Sequence, residues 1–368
     1  MTSPRLLDRR RTPRRTPRRT IAFTGALASI ALLAGCASAG SAAVEQSSAS
    51  EPLPTGAPSS DTSLRVAGRT TQLQLEAAGS AIDPLAFEVS DWVNAAAGPD
   101  VIQAFRAGAL DVATNAIIPP IQAHDIGFDA TIVSVLERPA PSYVFATAPG
   151  VALDTFDDLR GKKIAFSQGQ SQGDTVLRTL RTAGISEDEV TFIELPSTQF
   201  VTALQGGQVD VAPLSEPVVT KYIDQYEVDG AVALPVEEPD LLSILWVPTP
   251  VLAEEENIRA VRDYIRVWAQ GQVWAWENAD DWKQFYLVDT EGLSAADADR
   301  IWETANKPYF PADWDNAVDW AQSSIDLLSE GGYVESFDAE VLFDRRFEED
   351  AAAAVAEEYT VPDPNEED

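Results

Sequence analysis

The side chains of this chain best suited to chemistry are hydroxyls, amides and a guanidinium gathered in short polar segments. These are Arg69, Thr70 and Thr71; Asn115; Gln170 and Ser171; and Ser215 and Glu216. Groups of this kind suit reversible capture of an anion, because hydroxyl, amide and free backbone N–H donors at a helix start hold negative charge without a full counter-charge. The stretch GQSQGD at 169–174 has that character. Each group also has a plainer use. Ser171 or Asp174 can cap the helix that follows, Arg69 can pair with a surface carboxylate, and Glu216 before Pro217 can simply open a helix. If Glu216 instead faces a ligand, that ligand is expected to carry a cation or a donor.

Covalent or metal chemistry finds no comparable gathering. The single histidine, His124, falls in the helical run PPIQAHDIG, where a surface or packing role is expected. With one cysteine, Cys36, no intrachain disulfide can form. The sequence shows no nucleophile and base pattern, no glycine-rich phosphate loop and no His or Cys ligand cluster, so neither catalysis nor a cofactor or metal is expected.

The elements that must position the polar segments follow from hydrophobic patterning. Short β-branched runs at 64–67, 87–93, 111–114, 131–136, 143–147, 163–167, 190–195, 209–212 and 242–247 predict strands. Helices are predicted between them at 99–107, 119–125, 174–183, 198–204 and 218–226. Strict alternation of this kind argues for α/β layers with mostly parallel sheets. In such sheets ligands lie outside the carboxyl ends of strands, which is where the polar segments fall. After residue 249 the pattern becomes helical. Ile258, Val261, Ile265 and Trp268, then Val318, Ala321, Ile325 and Leu328, repeat the spacing of an amphipathic stripe. Most tryptophans lie between Trp268 and Trp320; core packing is the better reading of them, with an aromatic cage as the alternative.

The two ends read differently. Eight arginines in the first nineteen residues precede an apolar run at 21–34, an export-signal order. Fourteen apolar residues are fewer than the roughly 20 that span a bilayer. Leu33-Ala34-Gly35-Cys36 resembles a bacterial lipobox, and the resemblance implies that Cys36 is lipidated and becomes the new N-terminus after 1–35 is removed. Residues 36–63, rich in Ala, Ser, Gly and Pro, predict a flexible stalk, and 348–368 an acidic solvated tail. The whole chain carries 26 basic and 59 acidic residues, a net charge of −33. A field of that sign repels phosphate backbones and excludes nucleic-acid binding by charge.

Several motifs in order carry a family resemblance. They are GPD with VIQAFRAGALDVA and TNAIIPPIQA across 98–123, TFDDLRGKKIAFSQGQSQ at 155–172, ALQGGQVDVAPLSEP at 203–217, and FDAEVLFDRRF near the end. Together they are similar to extracytoplasmic solute-binding proteins of ABC importers in the aliphatic sulfonate, taurine and nitrate group. The resemblance implies a two-lobed periplasmic-binding-protein fold of type II, each lobe a mostly parallel sheet flanked by helices. It divides the chain into a first lobe at 64–147, a second at 148–246 and a helical completion of the first at 247–347, with hinge crossings near Ala148 and Trp246. It implies a monomeric, lipid-anchored receptor that delivers a small, sulfonate-like anion to permease and ATPase subunits. The alternatives are a sensor or adaptor on the same fold, or a receptor for a cationic or neutral ligand. Two departures stand out. The stretch 69–87 is short for the long first helix of the group, and Leu214-Ser215 replace its aromatic before Glu216-Pro217. The related thiamine-pyrimidine synthase branch is a poor match, because its cysteine cluster is missing.

Overall fold

The computed structural model describes residues 51–95 and 98–361. The chain begins its first sheet with β1 (Ser63–Ala67) and α1 (Arg69–Ala78), then β2 (Glu88–Trp92), α2 (Gly98–Arg106), β3 (Val112–Ala116), α3 (Ile118–Asp125) and β4 (Ala130–Glu137). It passes through 138–142 into a second sheet that starts with β5 (Tyr143–Thr147) and β6 (Lys163–Phe166). There follow α4 (Ser171–Thr182), β7 (Thr191–Glu194), α5 (Phe200–Gln205), β8 (Val211–Ser215), α6 (Val218–Tyr226) and β9 (Ala233–Pro235). Residues 236–241 return it to the first sheet as β10 (Leu242–Pro248).

The sheets run β2-β1-β3-β10-β4 and β7-β6-β8-β5-β9. β10 lies antiparallel between β3 and β4, and β5 antiparallel between β8 and β9, so each sheet is mixed but mostly parallel, with four strands running one way and one the other. The physical reason is the route of the chain. A strand that re-enters a sheet from the other lobe arrives with the opposite direction and fills the gap left between its neighbours. The chain passes between the sheets at 138–142 and 236–241.

Local sequence explains the main elements. α1 is short, as the spacing predicts; Gly79, with φ 54°, ends it. Pro119 and Pro120 open α3, where their missing N–H groups cost nothing. In the helical C-terminal part, α7 (Glu255–Glu277) buries the predicted stripe Ile258, Val261, Ile265 and Trp268. It is followed by α8 (Ala279–Trp282), a π-helical stretch Lys283–Thr290, α9 (Ala295–Glu303) and α10 (Asp315–Glu330). α7 packs on α1 and β1 of the first sheet. α10 also reaches the second, where Arg178 of α4 donates to Ser323 Oγ at 2.9 Å and Ser324 Oγ at 2.7 Å and stacks 4.0 Å above Trp320.

Parts of both predicted flexible ends are packed. Leu53 rests on the core, and Arg262 donates to the carbonyl of Pro54 at 2.9 Å and pairs with Asp350 at 2.6 Å. Ala351 and Tyr359 are buried, and the Phe310 N–H donates to the Tyr359 carbonyl at 2.7 Å. The tail is thus fixed at least to residue 359, because its aromatic and its one well-placed carboxylate find partners on α7 and beyond. Among the described residues no helix is long and apolar enough to cross a membrane. Cys36 and the export signal lie outside the described residues.

Candidate functional site

A cleft of about 770 Å³ opens between the two sheets. Its walls are the carboxyl ends of β3 and β8, the first turns of α1, both crossing segments and the helices of the C-terminal part. A smaller cavity of about 240 Å³ adjoins it at the start of α1 and shares Thr70, Thr114, Arg138, Ser243 and Gln272 with it.

The predicted site residues divide between these spaces. Thr70, Asn115, Ser215 and Glu216 line the large cleft; Arg69, Thr70 and Thr71 line the small cavity. Gln170 and Ser171 line neither. Gln170 Oε1 accepts from Ser167 Oγ at 2.8 Å and from the Ser197 N–H at 2.9 Å, so its amide oxygen is taken up by neighbouring segments of the protein. Ser171 lies behind the cleft wall, beside Tyr143 and Asp240. Arg69 opens α1, is exposed, and donates to Gln72 Oε1 at 3.0 Å.

Three details set the chemistry of the first-sheet side. The residue before α1 is Gly68, which offers no side-chain cap, so the N–H groups of the first turn remain available. A Cβ on Gly68 would stand 2.2 Å from the Tyr264 hydroxyl, so only glycine lets α7 pack this closely. Asn115 Oδ1 accepts from Trp246 Nε1 at 2.8 Å. That bond fixes the amide orientation and leaves the Asn115 NH2 to donate elsewhere. Trp268, fully buried, lines the small cavity with its indole N–H unpartnered among the described residues, and a buried donor without an acceptor is costly.

The crossing segments supply the charges, and sequence reading missed them. Arg138 lines both cavities and donates to Gln272 Oε1 at 3.1 Å. No carboxylate forms an ion pair with it among the described residues. Burial lowers its guanidinium from the ordinary value, opposed by the charge of Asp240. Burial pushes Asp240 up to about 7, reinforced by the charge of Asp174, while Ser171, Arg138 and Arg178 pull the other way. Glu216 is already occupied: its Oε2 accepts from Thr220 Oγ1 at 2.7 Å, and Arg300 lies 3.5 Å away. Arg300 thus stands beside the carboxylate as an internal counter-charge. A signal for Arg138 does exist in ERPAPS at 137–142, where an arginine and two prolines interrupt two β-branched runs.

The raised Asp240 has a measurable consequence. The folded state holds this proton to higher pH than the unfolded chain does, so its contribution to stability falls as pH rises from the ordinary value of 3.8 to about 7 and is level above that. Asp240→Asn is expected to raise the melting temperature at pH 8 and to change it little at pH 4. Thermal melts at the two pH values check this; an equal shift at both would show that the carboxyl is not perturbed.

The chain is similar to known proteins in sequence and in fold. The NMT1/THI5-like family aligns with residues 91–281, just over half of the chain. The chain belongs to that family. A protein of Escherichia coli strain K12 named as binding aliphatic sulfonates is 35% identical over 127 residues, 34% of this chain and 40% of its own length. One of Bacillus subtilis strain 168 with the same name is 23% identical over 195 residues, 53% of this chain and 58% of its own. The chain thus spans about half the length of these curated relatives. In the NMT1/THI5-like chain the fold extends further than those alignments. The alkanesulfonate-binding protein SsuA of Xanthomonas axonopodis pv. citri, bound to MOPS, superposes with a TM-score of 0.62 at 20% identity, covering 82% of this chain and 99% of that one. The nitrate-binding protein NrtA of Synechocystis PCC 6803 gives 0.57 at 14% identity over 82% and 90%. The fold is therefore that of solute-binding proteins of the sulfonate and nitrate type.

Proposed function

We propose that this protein is an extracytoplasmic receptor that captures a small organosulfonate-like anion in the cleft between its sheets and delivers it to an ABC permease. The observation that carries this reading is Arg138, a guanidinium in the crossing segment that lines both cavities and, among the described residues, has no carboxylate partner at ion-pair distance. Around it stand Thr70 on α1, Thr114 and Asn115 at the end of β3, and Ser243 on β10. A planar guanidinium recognises the tripod of sulfonate oxygens through paired N–H donors, and the neighbouring hydroxyl and amide groups complete the set. Arg69, Thr71 and Ser215 contribute at the edges of the same space. Gln170 and Ser171 act only behind the wall, and Glu216 serves as an internal counter-charge.

The residues 138–142 and 236–241 are the two strands of chain between the sheets, and we place the hinges of closure there. Cys36 would hold the receptor at the membrane by a lipid, with the segment up to about residue 50 as tether. The relatives named as binding aliphatic sulfonates support the anion reading of the cleft.

Calorimetric titration of the purified protein with ethanesulfonate, benzenesulfonate, nitrate and choline tests it. Heat of saturable 1:1 binding is expected with at least one sulfonate and none with choline. Binding of choline alone would replace the anion reading with a cationic one.

A further inference from the structure

Part of the cleft lining is aromatic. Trp276 of α7 and Trp302 of α9 pair with ring centroids 5.6 Å apart at 33°, and Trp282 of α8 stacks on Tyr286 of the π-helical stretch at 5.0 Å and 16°. All four line the cleft. Trp268 and Trp246 are fully buried, whereas Trp276 and Trp302 keep part of their surface open.

Size points the same way. Nitrate or a two-carbon sulfonate fills the space of only a few water molecules, at about 30 Å³ each, whereas the cleft measures about 770 Å³. Clefts of that order hold ligands with a sizeable organic body, and this one sets aromatic rings beside polar groups such as Asn115, Ser243 and Gln272. The ring faces offer offset stacking to a planar ligand, which a short alkyl chain cannot use.

We infer that the organic part of the ligand is a ring, so that the natural cargo is an aromatic or heteroaromatic sulfonate with its charged head at Arg138 and its ring against Trp276 and Trp302. This rests on the anion reading of the cleft and adds the class of the ligand body.

Affinities for benzenesulfonate and ethanesulfonate, measured by calorimetry on the wild type and on Trp276→Ala, Trp302→Ala and Trp302→Phe, test it. Benzenesulfonate is expected to bind at least about 10-fold tighter than ethanesulfonate. Each alanine variant should reduce that preference several-fold while ethanesulfonate binding stays within about 2-fold, and Trp302→Phe, which keeps a ring face, should retain most of it. Equal or tighter binding of ethanesulfonate would overturn the ring inference and leave the anion site standing. So would alanine variants that weaken both ligands alike while still melting cooperatively. Failure of both sulfonates to bind would overturn both readings.

Discussion

Arg138→Ala is expected to weaken sulfonate binding by about 100-fold, with the fold retained. A hydrogen bond to a charged group contributes roughly 1.5–3 kcal/mol, which is about 10- to 150-fold in affinity. A guanidinium that grips a sulfonate through two N–H groups falls in the upper part of that range. Stability should change little, because Arg138 makes a single side-chain hydrogen bond, to Gln272, and holds no ion pair among the described residues. Arg138→Lys should recover only part of the loss, since a point charge on a flexible stem lacks the paired donors. Calorimetry with benzenesulfonate on the three proteins reads this out. An alanine variant that binds as well as the wild type would remove Arg138 from the site.

The second large effect is on stability. Trp246 is fully buried in β10, meets Phe105 edge-on at 4.9 Å, and donates to Asn115. Trp246→Ala is expected to cost about 3–5 kcal/mol, the usual range for a buried aromatic removed from a close-packed core. In a domain of this size that lowers the melting temperature by roughly 10 °C. Trp246→Phe should cost less in stability yet still weaken anion binding, because Asn115 Oδ1 loses the donor that holds its NH2 in place. Denaturant melts and titrations on the two variants separate the effects. Full affinity in the phenylalanine variant would show that the orientation of Asn115 does not matter for binding.

Much of the architecture is legible in the residues because it depends on local periodicity. The β-branched runs predict nine strands close to their observed positions, and Ala233–Pro235, too short and ending in proline, escapes the pattern. The stripe from Ile258 to Trp268 predicts both α7 and its buried face. Direction of strands is another matter. Nothing in LSILWVP says that β10 enters between β3 and β4 from the opposite end; that follows from the path through the second sheet.

The site was half legible for the same reason. Thr70 follows the end of β1 and Asn115 lies in the last residues of β3, so the sheet rule leads to residues that line the cleft. Arg138 and Asp240 lie in crossing segments, and their meeting depends on where both crossings run. Gln170 and Ser171 follow a strand end too, yet Ser167 and Ser197 take up Gln170. The tryptophans show the limit of composition. Trp268 is core, as its place on the stripe predicts, while Trp276, two turns further along α7, turns toward the cleft.

The most direct test of the central claim is diffraction from crystals of the protein grown with benzenesulfonate. The account predicts density for the sulfonate between the sheets, with its oxygens within hydrogen-bond reach of the Arg138 guanidinium and the Asn115 NH2. Density for the ligand elsewhere on the protein, with Arg138 untouched, would contradict it.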